Sequence, residues 1–310
     1  MKGATQKVFM TPGAKKAKRR SIIVAYSFIL PNFLGFLILT MFPILFTFFL
    51  SVMSWDSANP MVFAGLEHYR YLPEDRRFMD ALTNTIYFTA VTVPGTLVAS
   101  LAVAMLLNAK VFARTFFRSV FFFPYVASLV ALAVVWNLLF HPSMGPVNQF
   151  LMSLGVENPP RWTADINWAL PTVMLMTVWR NMGYYMIIYL AALQGIPRDL
   201  YEAGIIDGAS FSQRFRYITW PMLTPTTFFV SVMLVINSFK VFDQVFLLLG
   251  GDGQGSIPRQ NTVLVLEIYR SAFTSLNFGY ASAISVVLFV LVLGVTIFQF
   301  GIERKFVKNM

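Results

Sequence analysis

The sequence predicts an all-α integral membrane protein with six transmembrane helices. Two observations carry this reading. Six stretches stay apolar over about the 20 residues that a helical span needs. Charged residues make up 12% of the chain, 32 residues are Phe and the mean hydropathy is +0.64, whereas a soluble domain is roughly 25% charged. That leaves too little polar surface to cover a water-soluble body. The runs are continuous and do not alternate, which argues against a transmembrane β-barrel.

In chain order, the spans are expected at about residues 21–55, 82–107, 119–140, 168–193, 222–249 and 280–300. The first is interrupted by Pro31 and Pro43. It is too long for a signal-peptide core and no small-residue cleavage site follows, so it reads as a retained span. Residues 1–20 form a basic tail containing KKAKRR, expected to be unstructured and able to touch anionic lipid. Residues 21–310 form the transmembrane domain.

Charge sets the orientation. With the N-terminus inside, segments 1–20, 108–118, 194–221 and 301–310 hold 16 Lys and Arg, and segments 54–81, 141–167 and 250–279 hold 6. The bias predicts both termini in the cytoplasm. The net charge of +10 is therefore a topology signal, and no nucleic-acid partner is expected. The chain has no Cys, hence no disulfide, thiolate metal site or Cys nucleophile.

Two outer loops carry local signals. In MVFAGLEHYRYLPEDRRFMDALTNT, aromatics are spaced among charges; HPSMGPVNQFLMSLGVENPPRW has turn residues Pro142, Gly145, Pro159 and Pro160. Both read as small capping elements. His68 and His141 fall in different loops and make a poor metal site. GGDGQG at 250–255 has no Lys-Ser/Thr after it, so it is no phosphate-binding P-loop and reads as a flexible outer loop. A membrane enzyme on lipid-linked sugars would need clustered carboxylates or His, and the outer acids are scattered. A channel would need a repeated pore segment, and no internal repeat occurs.

Polar residues inside spans are costly in lipid and so informative. Thr177, Arg180, Asn181 and Tyr184 follow i, i+3, i+4, i+7 spacing on one face of the fourth span. Asn237, Lys240 and Gln244 do the same in the fifth, with Asp243 at the edge and three residues from Lys240, where the two charges can partly neutralise each other. Arg180 lies too near mid-span to snorkel. Such stripes either glue helices together or line a water-filled cavity for a polar solute. Amides, Tyr and charged donors suit hydroxyl-rich sugars; the cations also suit an anionic solute such as a sugar or glycerol phosphate. Ala281 and Ser285 form a small-x-x-x-small pair, a mark of close helix packing.

Residues 201–221, YEAGIIDGASFSQRFRYITWP, interrupt the apolar pattern on the cytoplasmic side. Pro197 suits a first helical turn, and Asp199 and Glu202 favour the positive helix end. Gly208 supplies a left-handed stop. Ser210 and Gln213 form a capping box for a second helix, expected to end at Trp220-Pro221. Ile205, Ile206 and Phe211 would make an exposed apolar tip, which implies a partner surface.

EAGIIDGASFSQRFRYITWPMLTP resembles the cytoplasmic EAA loop of ABC-importer permeases. Glu202, Ala203, Asp207, Gly208, Ala209, Ile218 and Pro221 fit that pattern, with Gly204 in place of the usual second Ala and Trp220 in place of the usual Leu. The stretches FFFPYVAS, VWRNMGYYMIIYLAALQGIPRDLYEA and NSFKVFDQV resemble the carbohydrate-uptake branch, the maltose and glycerol-phosphate permease type. Lys240 stands where that branch often has an uncharged amide. The resemblance implies the type I ABC-importer permease fold, with six spans and a coupling loop over residues 194–221. It further implies a second related permease subunit, two cytoplasmic ATPase subunits and an extracytoplasmic solute-binding protein. No cofactor is implied in this chain; ATP and Mg belong to the ATPase subunits. Glu202 would pair with a basic groove residue of the ATPase, Gly208 would permit the turn, and Ile205, Ile206 and Phe211 would fill the groove.

Overall fold

The structure, a computed structural model, describes residues 12–109, 112–250 and 259–307. Residues 251–255 of the glycine-rich run lie outside them. Helix α1 (Pro12–Phe36) is followed by a π turn (Leu37–Met41) and α2 (Phe42–Leu50). The expectation of an unstructured tail is corrected over residues 12–20, which are helical. Lys, Ala and Arg are good helix formers, and Pro12 at the first position forfeits no intrahelical bond.

The first outer loop contains a two-residue antiparallel pair, β1 (Met53–Ser54) and β2 (Val62–Phe63), in which Met53 faces Phe63, and then α3 (Glu67–Tyr71). His68 Nε2 lies 3.0 Å from the Met53 carbonyl oxygen, a structural role. Helix α4 (Arg76–Asn108) starts on a cap in which the Asp75 carboxylate accepts from the Arg77 N–H. Next come α5 (Arg114–Val126), α6 (Leu129–Leu139), α7 (Pro146–Ser153) and α8 (Ile166–Gln194). The α7 cap is organised by buried Asn148. Its amide donates to the carbonyls of Pro142 (2.8 Å) and Pro160 (3.0 Å) and accepts from Trp162 Nε1 (2.6 Å).

The chain continues through α9 (Arg198–Ile206), α10 (Phe211–Arg214), a π turn (Phe215–Thr219) and α11 (Trp220–Phe239). It ends with α12 (Asp243–Leu248), α13 (Leu264–Tyr269) and α14 (Phe278–Val307). Among the described residues, four stretches are long and apolar enough to cross a membrane: Ile23–Leu50, Arg76–Asn108, Phe211–Phe239 and Phe278–Arg304. The bent pair α5–α6 makes up to a fifth. Helix α8 matches the expected fourth span in position and, at 29 residues, in length. It falls outside that apolar set and packs instead against α4, α5 and α11.

Three expectations about helix ends are corrected. Residues 119–140 are not one straight span: α5 and α6 meet at 99°. Pro124 lacks the N–H that would continue the ladder, and Ala127 turns to φ −65°, ψ 151°. The second hairpin helix does not stop at Trp220-Pro221 but runs unbroken from Phe211 to Phe239. Proline clashes with the carbonyl four residues back; here the π turn widens the backbone just before Pro221, so the Trp220 N–H reaches the Phe215 carbonyl. The same device precedes Pro43, where the Phe42 N–H reaches Leu37. Finally, the expected span 222–249 breaks after Phe239, with Lys240 as its cap and Phe242 at φ −143°, ψ −62°.

Helices α4 and α8 make the largest helix–helix contact. Where α5 crosses α8 the approach is closer still: a Cβ on Gly183 would lie 1.8 Å from the Phe121 carbonyl oxygen. Two apolar clusters result. One holds Tyr185, Tyr189, Leu223, Leu234 and Ile284; the other holds Phe88, Trp136, Met174, Val241 and Val245.

Candidate functional site

Between these clusters lies a polar cavity of 390 Å³. Helix α8 contributes Thr177, Arg180, Asn181 and Tyr185. The end of α11 contributes Asn237 and Ser238, and the broken segment after it adds Lys240, Asp243 and Gln244. Tyr125 and Phe88, with Leu234, Val241 and Phe242, complete the wall. Irregular backbone at membrane depth is tolerated where it lines such a space.

Seven of the eight residues in the predicted stripes thus meet at one place. Lys240, Asp243 and Gln244 arrive by a different route from the one expected. They do not share a helix face with Asn237, because the helix has ended; the chain turn brings them in. Helical spacing no longer sets Lys240 against Asp243, and no ion pair joins them. Asp243 instead sits in the first turn of α12, where a carboxylate favours the positive helix end.

Arg180 is held from two sides. The bend after α5 orphans that helix's last carbonyls, and Arg180 Nη2 donates to the one on Tyr125 at 3.1 Å. Its guanidinium carbon lies 5.2 Å from the Tyr125 ring centroid, a cation–π contact. Tyr184 is the exception among the predicted residues. It is half-buried behind the wall, stacked on Tyr125 with centroids 4.5 Å apart. Its neighbour Tyr185 lines the cavity and receives a 3.4 Å hydrogen bond from the Asn237 amide. The spacing 177, 181, 185 fits the same helix face and was the available signal for Tyr185.

Sequence reading also missed a buried stripe on α4: Thr85, Thr89, Thr92 and Thr96. Thr92 meets Ser238 of the cavity wall hydroxyl to hydroxyl at 3.2 Å. Small residues of this kind let helices approach closely in a membrane.

The second candidate surface is the hairpin at the other end of α8. Helix α9 ends in a Schellman motif: the Ala209 N–H donates to Gly204 at 2.8 Å and the Gly208 N–H to Ile205 at 3.0 Å, with Gly208 at φ +74°. Both bonds satisfy carbonyls that the helix end would otherwise orphan. Ser210 then starts the next helix with the predicted capping box. Its N–H donates to Gln213 Oε1 at 2.7 Å, and its Oγ accepts from the Gln213 N–H at 3.3 Å. The turn is thus two helix caps joined end to end.

This rigid turn presents Ile205, Ile206 and Phe211 outward, exposed by 57%, 85% and 69%. Glu202, Ala203 and Asp207 are exposed beside them, and Ala209 is half-buried. Glu202 makes no side-chain hydrogen bond or ion pair among the described residues. No group of three metal-ligating side chains occurs among those residues.

Apolar spans around a polar cavity, with a rigid apolar tip outside the bundle, define a multi-pass membrane transport protein. The chain belongs to the binding-protein-dependent transport system inner membrane component family, which matches residues 74–308. It is therefore an ABC transporter permease. It is 32% identical over 292 residues to the trehalose/maltose transport system permease protein MalF of Thermococcus litoralis, covering 93% of this chain and 96% of that one. It is 33% identical over 298 residues to the lactose transport system permease protein LacF of Rhizobium radiobacter, with 95% and 99% covered. Identity to the sn-glycerol-3-phosphate transport system permease protein UgpA of Pectobacterium atrosepticum is 32% over 290 residues, with 92% and 96% covered. In fold it is similar to a chain of a bacterial ABC transporter involved in alginate import, with a TM-score of 0.80 at 24% identity over 94% of this chain and 98% of that one.

Proposed function

We propose that this chain is the permease subunit of an ATP-driven importer that moves a sugar, polyol or oligosaccharide into the cytoplasm. The solute would arrive from an extracytoplasmic binding protein. The observation that carries the reading is the 390 Å³ cavity, whose wall offers two Asn, one Gln, two Tyr, Thr and Ser. These are directed donors and acceptors suited to hydroxyl groups. The sugar-transporting relatives favour the same class of solute. In this reading Thr177, Arg180, Asn181, Asn237, Lys240, Asp243 and Gln244 form the solute pathway, and Tyr184 fixes its wall from behind.

Both termini and the 194–221 loop lie in the cytoplasm, with α8 as the fourth of six crossings. A second related permease subunit completes the membrane pathway. Two ATPase subunits, which hold the ATP and Mg, each receive a coupling tip. Here Ile205, Ile206 and Phe211 enter a groove on the ATPase, flanked by Ala203, Asp207, Gly208 and Ala209, and exposed Glu202 meets a cation. ATP binding then shifts the permease pair between two rigid arrangements.

A second reading, an anionic solute such as glycerol phosphate, is favoured by one observation: Lys240 lines the cavity with no ion-pair partner among the described residues. The test is uptake in a strain lacking the native permease, with labelled maltose, lactose and glycerol 3-phosphate in competition. Saturable, ATP-dependent sugar uptake supports the first reading. Uptake of the phosphate alone supports the second, and uptake of neither by the assembled complex rejects both.

A further inference from the structure

A second polar cavity, of 760 Å³, lies at the hairpin end of α8. It is formed by the last turn of α4, the start of α5, the end of α8 and the start of α9. Three of its lining side chains are Arg114, Arg118 and Arg198, and among the described residues no carboxylate lines it.

Arg114 and Arg118 are four residues apart on α5, a spacing at which like charges face each other and repel. One neutral group holds them. The Gln194 amide, oriented by its network, turns its oxygen to accept from Nη2 of both, at 2.8 Å from Arg118. A guanidinium has five N–H donors, yet this is the one hydrogen bond each side chain makes among the described residues. The Nε–H of both is buried with no partner. Helix α5 also starts without a side-chain cap, because its N-cap residue Ala113 (φ 54°) has none to offer. Its first amides and positive dipole end therefore add to the same field. Arg114 and Arg118 are half-buried, and a charge partly withdrawn from water without a counter-ion is costly. This corner brings together cations, under-used donors and a helix start, and among the described residues it supplies no anion.

We propose that this cavity is a binding site for a phosphate group, gripped by Arg114 and Arg118 with Arg198 at its rim. Arginine forks match phosphate oxygens in pairs. The site opens where α8 and the apolar helix α4 end, and the phosphodiester of an anionic phospholipid and a soluble phosphate share the required chemistry. The site is separate from the solute cavity and does not depend on the solute's identity.

The test uses the full chain purified in neutral detergent, with native mass spectrometry and thermal melting. The probes are phosphatidylglycerol, phosphatidylcholine and inorganic phosphate. We expect one phosphatidylglycerol to be retained, melting to rise with it and not with phosphatidylcholine, and affinity to fall at least about tenfold in R114Q/R118Q. The R216Q control removes an exposed Arg outside the cavity and should keep full affinity. Equal protection by inorganic phosphate, lost in the same double variant, supports the site with a soluble ligand. Unchanged affinity in R114Q/R118Q, or an equal loss in R216Q, overturns the proposal. So does an absence of anion binding with loss of ATPase assembly instead, which would make the cluster a subunit contact. If the double variant does not fold, R198Q decides: weaker binding supports the site and unchanged binding overturns it.

Discussion

The rings of Tyr125 and Tyr184 stack 4.5 Å apart and within 16° of parallel, and the guanidinium of Arg180 lies over the same Tyr125 ring and bonds its carbonyl. The cation is thereby held by a residue that a tyrosine outside the cavity keeps in place. Tyr184→Ala removes the stack, worth about 1 kcal/mol beyond its buried area. It is expected to lower uptake and melting temperature together, while Tyr184→Phe restores both. Full uptake by Tyr184→Ala would show that the stack does not position Arg180.

Asn237→Ala separates the two roles that a polar stripe can play. Asn237 makes one long side-chain bond, 3.4 Å to Tyr185, and is otherwise open to the cavity. The expected outcome is a melting temperature near that of wild type and a raised uptake KM. A large loss of stability with unchanged KM would mark the stripe as helix glue.

Gly183→Ala probes the crossing of α5 and α8. A methyl group would meet backbone, the Phe121 carbonyl at 1.8 Å, which no side-chain rotation can relieve. Overpacking of this kind costs about 2 kcal/mol or more. The expected result is reduced protein in the membrane fraction, measured by quantitative blotting against an Ala192→Gly control.

The hairpin gives a graded series. Ser210→Ala removes one cap at about 1 kcal/mol and should leave most uptake intact. Gly208→Ala places a Cβ at φ +74°, a further cost of about 1–2 kcal/mol. Gly208→Pro cannot adopt that φ and loses the bond to Ile205. It should abolish uptake and solute-stimulated ATP hydrolysis while the protein stays in the membrane. Glu202→Lys leaves the turn unchanged and should uncouple through charge alone. Normal uptake in both of these variants would remove the coupling role.

The hairpin was the most legible part of the sequence. Gly208 and the Ser210/Gln213 pair are local signals, and each cap forms within a few residues of its partner. The cavity was half legible. Polar residues inside apolar runs are conspicuous, which found Arg180, Asn181 and Asn237. The wall residues Phe88 and Tyr125 are ordinary aromatics until the fold brings them there. Helix ends were least legible. Pro221 reads as a stop, but the π turn before it absorbs the clash. The break at Lys240 has no proline or glycine to announce it.

The unbroken Phe211–Phe239 helix has one more consequence. It fixes a phase between the apolar tip at one end and the Asn237 amide at the other. Each residue of an α-helix turns the chain by about 100°. One residue inserted between Tyr217 and Val235 would keep the tip, the span and the composition almost intact. It would still swing Asn237 away from Tyr185, so this helix tolerates substitution more readily than a change of length.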